Sequence, residues 1–162
     1  MAPRTHSLLD VSRGHLRSNQ AMPQPLLASW PRPHFQSGGG DAHLFYKIHG
    51  SFPGAPEVSG TRHRTSGVPV GCSLEQHTRD TNPGVLRFGV GDEGYIAQQL
   101  REDEPALCEA IAKTDQCLVV RGEVPDPDTL DYFRDAVGLV TALLDAGGIA
   151  VFDPHMFKWW SA

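Results

Sequence analysis

The feature that most constrains this chain is the stretch from Gln116 to Phe152. Gln116–Arg121 (QCLVVR) is a short apolar run rich in β-branched residues, the pattern of a buried strand. Ile149–Phe152 is a second such run, stopped by Asp153-Pro154. Between them Leu130, Phe133, Val137, Val140 and Leu144 recur three and four residues apart, which places them on one face of a helix. Asp126 stands where a cap is expected and Pro127 where the first helical residue would fall. Asp128 and Asp131 suit the positive end of the helix, and Gly147-Gly148 suits a left-handed cap at its other end. Strand, helix and strand in this order form a βαβ unit, its two strands pointing the same way and its crossover right-handed. Val137 lies at the centre of the stripe, so Val137→Asp is expected to unfold the domain by burying an unpaired carboxylate.

Upstream signals are shorter. His43–His49 reads as a strand ending at Gly50, with Leu44, Tyr46 and Ile48 on one face and His43, Phe45, Lys47 and His49 on a wetter one, as near a sheet edge. Residues 50–83 are punctuated by Gly and Pro and read as a long loop, with a short strand at Val68–Cys72 and a helical turn starting within Ser73–His77. Val85–Val90 reads as a strand after the Asn82-Pro83-Gly84 turn, and Glu93–Arg101 as a helix. Pro105 opens another helix through Leu107 and Ile111, with Asp103 as a candidate cap. This order predicts an α/β fold: a small mixed sheet with a βαβ unit over residues 116–152, either ferredoxin-like or a three-layer sandwich.

Pro3, Pro23, Pro25, Pro31, Pro33 and Gly38–Gly40 interrupt any regular element in residues 1–40, which read as a disordered tail before a single α/β domain over residues 41–162. Met22 is an alternative to Met1 as the start of translation. Met156, Phe157, Trp159 and Trp160 crowd the last seven residues with more apolar surface than a domain ordinarily exposes, so the domain is expected to be incomplete at Ala162 and to continue beyond it.

Charge and cysteine content narrow the function. The formal charge is −5, and residues 91–162 alone sum to −9, which disfavours a phosphate backbone as partner. No apolar run approaches the length of a membrane span. Cys72, Cys108 and Cys117 are odd in number and lack CxxC spacing, which points to free thiols in a reducing, cytoplasmic setting.

Candidate chemistry falls in two places. Arg121, Glu123, Asp153 and His155 lie just past the carboxyl ends of the βαβ strands, the edge where α/β folds usually bind ligands. His63, Cys72 and His77 carry zinc-ligand chemistry, with His43 or His49 as a fourth donor; Cys72 with His77 is also a nucleophile and base by type. Gly89, Gly91 and Gly94 meet the G-x-G-x-x-G spacing, but Asp92 and Glu93 inside that loop would repel a pyrophosphate, and no cofactor is expected to bind there.

The stretches TRHRTSGVPVGCSLEQH, NPGVLRFGV and TDQCLVVRGEVPDPDTLDYFRDAVGLVTALLDAGGIAVFDPHMFKWW carry a resemblance over about residues 41–162. They resemble a group of uncharacterised proteobacterial proteins, a domain of unknown function whose members continue past the Lys158-Trp159-Trp160 segment. The resemblance implies a bacterial cytoplasmic source and supplies no activity and no catalytic residue. The expected function is a non-enzymatic protein-interaction module, its partner another protein or the continuation of its own chain. The alternative is a hydrolase-type enzyme, with or without a metal such as zinc to assist it, and no other cofactor is expected.

Overall fold

The computed structural model describes residues 27–36, 38–91, 93–125 and 127–162. Its elements in chain order are β1 (Ala42–Gly50), α1 (Gly60–His63), β2 (Cys72–Thr78), α2 (Pro83–Arg87), α3 (Tyr95–Asp103), α4 (Pro105–Ala112), β3 (Gln116–Val124), α5 (Asp131–Asp145), β4 (Gly148–Asp153) and β5 (Lys158–Ser161). The strands form one sheet in the order β2-β3-β1-β4-β5. The expected α/β class holds, with helices on both faces as in a three-layer sandwich.

Strands β3 and β4, joined by α5, run in the same direction as the 116–152 reading requires, but they do not pair. Strand β1 lies between them, antiparallel to both, matching Ile48 to Leu118 on one side and to Val151 on the other. The unit is therefore a split βαβ, and every neighbouring pair in the sheet is antiparallel. The first strand has become a central one. Its expected wet face is closed over in its second half, where Lys47 and His49 are as buried as Ile48, at 0%, 1% and 0% exposure, while His43 stays exposed.

Helix α5 lies on the face made by Leu44, Tyr46, Ile48, Leu118, Val120 and Val151. Its buried residues are Ala136, Leu139, Ala142 and Leu143, with Gly138 and Asp135 beside them. This corrects the phase of the stripe read from sequence: Phe133 is 38% and Val137 44% exposed. The helix turns its small residues inward because the loop after α1 needs space there. A Cβ on Gly138 would stand 2.3 Å from the His63 carbonyl oxygen. Asp135 faces the same loop, accepting from the Ser66 amide at 3.1 Å and from the Ser66 hydroxyl. The helix also starts later than expected, with Leu130 in the cap position instead of Pro127 in the first turn; Asp126 lies outside the described residues.

On the opposite face α3 and α4 bury Leu100 and Ile111 against Ala150, Phe152 and Trp159. The segment expected as a strand over Val85–Val90 is instead helix α2, opened by Pro83 in its first turn. Leu86 turns inward onto Cys117 and Val119, and the ammonium of Lys47 donates to the carbonyl oxygens of Val85, at 3.1 Å, and of Phe88. Ser73–His77 is strand, within β2, where a helical turn was expected; Leu74 pairs with Val120 and packs into the core below α5. Cys72, which the sequence placed at the end of a strand starting at Val68, opens β2.

The C-terminal aromatics divide. Trp159 is 8% exposed and stacks on Phe152 at 4.8 Å, its indole N–H donating to the Gly89 carbonyl oxygen. Trp160, on the other face of β5, is 47% exposed, and Phe157 63%. Residues 1–26, including Met1 and Met22, lie outside the described residues. Residues 27–36, expected within the tail, cross the start of α5, where Leu130 N–H donates to the Trp30 carbonyl oxygen at 2.7 Å.

Two substitutions test this packing by urea unfolding. Leu139→Ala should cost about 2–5 kcal/mol, whereas Val137→Asp should move the midpoint little. Lys47→Ala, which strips the donor from two buried carbonyls and leaves a cavity, should cost roughly 3–5 kcal/mol. A large loss at Val137 with none at Leu139 would restore the stripe read from sequence.

Candidate functional site

Two surfaces present chemistry to solvent, and a further set of expected residues is dispersed. The first is the bare part of the sheet beside α2, where β2 and β3 place the expected residues Arg121 and Glu123 next to each other. Arg121 Nε donates to Glu75 Oε1 at 2.9 Å, Ser73 Oγ donates to the same oxygen at 3.1 Å, and His77 Nε2 lies 3.4 Å from Glu75 Oε2. Burial opposes ionisation of Glu75, but Arg121 and Ser73 outweigh it and hold the carboxyl below its usual range. Glu123 lies 3.3 Å from His43 Nδ1. His43, Ser73, Glu75, Arg121 and Glu123, with Cys72 and His155 but without His77, line a shallow hollow of about 600 Å³.

Three of the four residues expected at the strand ends thus share a surface, while Asp153 does not join them. Its carboxylate accepts from the His155 and Met156 amides at 2.9 and 3.1 Å and shapes the β4–β5 turn. The hydroxyl of Ser73 is turned to a carboxylate and not to an imidazole. Burial raises the Cys72 thiol above its usual value, the opposite of what a nucleophile needs.

The second set, His63, Cys72 and His77, is not brought together. His63 is buried in α1 against α5, its Nε2 donating to Asp145 Oδ2 at 3.1 Å and its Nδ1 accepting from the Ser59 amide at 3.1 Å. Both ring nitrogens serve to fasten α1, with Arg62 reaching the same Asp145 oxygen at 2.9 Å. His77 lies on the far side of the sheet, beside Asn82. Among the described residues no group of three His, Cys, Asp or Glu side chains is placed to hold a metal ion. His49, the other expected donor, is sealed in the interior. The Thr114 hydroxyl donates to the Ile111 carbonyl oxygen, so it accepts from His49 Nδ1–H at 2.9 Å. Nε2 then carries a buried lone pair with no hydrogen-bond partner among the described residues. Gly89, Gly91 and Gly94 follow a helix instead of a strand, so the dinucleotide context is missing.

The second surface is apolar and was not anticipated. Phe133, Val137, Val140 and Leu144 of α5 face Tyr46, Val151 and Trp160 across a groove of about 360 Å³. Trp160 sits on β5, the sheet's outer strand, and Lys158 stacks on its ring at 4.2 Å. The signal for this groove was present as the large apolar residues of the helical stripe, which the sequence reading assigned to the core. Burial, followed by the nearby Asp153 carboxylate, raises the Tyr46 phenol above its usual value, so the hydroxyl stays neutral in the groove wall.

Comparison with family models, with curated proteins and with solved structures finds no match to the chain. No helix among the described residues is long and apolar enough to cross a membrane.

The sealed imidazole has a measurable consequence. Burial first, then the charges of Lys47 and Arg79, lower the His49 pKa from 6.5 to about 3. The unfolded chain binds a proton below pH 6.5 that the folded chain refuses down to about pH 3, so this residue makes stability fall as pH drops through that window. The slope is up to about 1.4 kcal/mol per pH unit. Urea midpoints from pH 7 to 4 should show the decline, and His49→Gln should flatten it; an unchanged slope in the variant would place the imidazole in contact with water.

Proposed function

We propose that the chain is a non-enzymatic, cytoplasmic protein-interaction module of bacterial type, and that the groove between α5 and β5 takes an extended apolar segment of a partner protein. One observation carries this reading: the large side chains of the crossover helix, Phe133 and Val137, are turned away from the core and meet the exposed Trp160 across the groove. Contiguous apolar surface of this kind marks interaction sites more often than it marks idle surface. The nature of the occupant is suggested by the chain itself, whose Trp30 rests on Phe133 at 6.4 Å, an extended segment with an aromatic anchor. The open side of β5 suits such a segment, since Ala162 N–H bonds inward to Ile149 and the alternation then turns the backbone groups of Trp159 and Ser161 outward. The acidic balance and the absence of a charged cluster in the groove favour a polypeptide over a nucleic acid.

A photo-crosslinking phenylalanine analogue at position 160 should trap one partner in cells. The same analogue at the exposed Glu109 on α4 should not, and Val137→Glu, with unchanged thermal stability, should abolish the product at 160. Equal crosslinking from positions 160 and 109 would overturn the assignment of the groove.

A further inference from the structure

Ahead of β1 the chain lies across α5 as a bound peptide would. The Trp30 amide donates to Asp131 Oδ1 at 2.7 Å, and its carbonyl oxygen accepts from Leu130 at 2.7 Å. The Ser29 hydroxyl reaches both Asp131 oxygens at 3.1 Å. Arg134 donates to the Ala28 carbonyl oxygen at 2.9 Å, Arg32 donates to the Pro127 carbonyl oxygen at 2.7 Å, and Pro31 forms an antiparallel bridge with Thr129. The apolar contribution is one ring on another: Trp30 on Phe133, 40% and 38% exposed. Almost everything recognised here is extended backbone, a hydroxyl and an aromatic ring, and none of it is part of the core.

The connection to β1 is built to let go. Gly38 and Gly40 adopt φ of 111° and 86°, and a Cβ on either would meet nothing within 4 Å. Neither glycine is held by a packed neighbour, so at these two positions the connection restrains the strap only weakly.

We propose that Pro127–Arg134 is a peptide-binding site, occupied in one chain by its own Ala28–Arg32 strap, and that a second copy's Ala28–Arg32 seats there when the strap is released. The occupant is specified by what is already seated: any copy of the chain carries the same Ser-Trp-Pro segment, so the surface is complementary to it by construction. Strap and site belong to one chain a short span apart, which presents the strap at roughly millimolar effective concentration, so the intramolecular strap outcompetes exchange until one chain's strap is disabled. This inference does not depend on the groove beside β5 binding a partner.

The test is complementation between two full-length variants. Ser29→Ala/Trp30→Ala leaves the site intact and its own strap disabled. Asp131→Ala leaves the strap intact and its own site broken, with Asp131→Asn as a second form of the same lesion; both sites are exposed, and circular dichroism confirms that helix content is kept. Each variant is sized alone and mixed with the other by light scattering during gel filtration, at concentrations up to about 1 mM. The expected result is a two-chain species in the mixture alone, abolished when the first variant also carries Asp131→Ala. Monomers in the mixture, or a two-chain species of equal amount in either variant alone, would overturn the proposal. Val137→Glu should leave the two-chain species unchanged, which separates this site from the groove.

Discussion

A buried ammonium ion on the central strand is the constraint to which the rest of one layer is fitted. Lys47 has no exposed surface, and a charge taken out of water is tolerated only where strong acceptors replace the solvent. Helix α2 supplies carbonyl oxygens from its last turn and just beyond, where the helix leaves acceptors over. Around the ion stand the rings of Phe88, Phe152 and Trp159, each with its centroid 5.5 Å from Nζ. Those rings come from the segment after α2, from β4 and from β5. One side chain thus gathers three elements that are far apart in sequence.

The other layer is fastened by a different set of polar contacts. Asp135 holds the loop at Ser66, and Asp145 holds His63 and Arg62, so both ends of α5 are tied to the segment between β1 and β2. These ties fix how α5 can rotate. With Gly138 and Asp135 committed to that loop, Leu139 and Leu143 fall onto the sheet, and Phe133 and Val137 are left outside. The groove follows from the polar contacts that set the helix phase.

This is also why the sequence was legible in part. The strand at Gln116, the long helix, the strand at Ile149 and the new helix at Pro105 follow from local periodicity and punctuation, which the tertiary structure did not override. The helix phase was misread because the stripe was traced through Phe133 and Val137, while the inner face combines Leu139 and Leu143 with Ala136, Ala142 and Gly138, small residues whose value lies in close approach instead of area. Val85–Val90 was misread because apolar content cannot separate a short buried helix from a strand, and the acceptor demand of Lys47 is invisible from a distance of 38 residues. Glu75, which organises Arg121, Ser73 and His77, lay where a helical turn in a long loop was expected, so the polar surface was assembled from its rim without its centre.

The strap and the groove share one residue, Phe133, and that gives the surface its character. An aromatic side chain can bury about 150–250 Å², worth roughly 4–6 kcal/mol at full burial before the cost of ordering. Trp30 covers Phe133 only partly, and both rings keep more than a third of their surface in water. The strap therefore screens the end of the groove without filling it. A contact held mainly by backbone hydrogen bonds to an exposed Asp131 competes with water at every step of its release, so its hold is weak compared with that of Trp159, whose ring is stacked and whose N–H is bonded in the interior. The same fold thus places one tryptophan where it cannot leave and another where leaving is cheap, and the second rests on Phe133 at the end of the apolar groove that Trp160 lines.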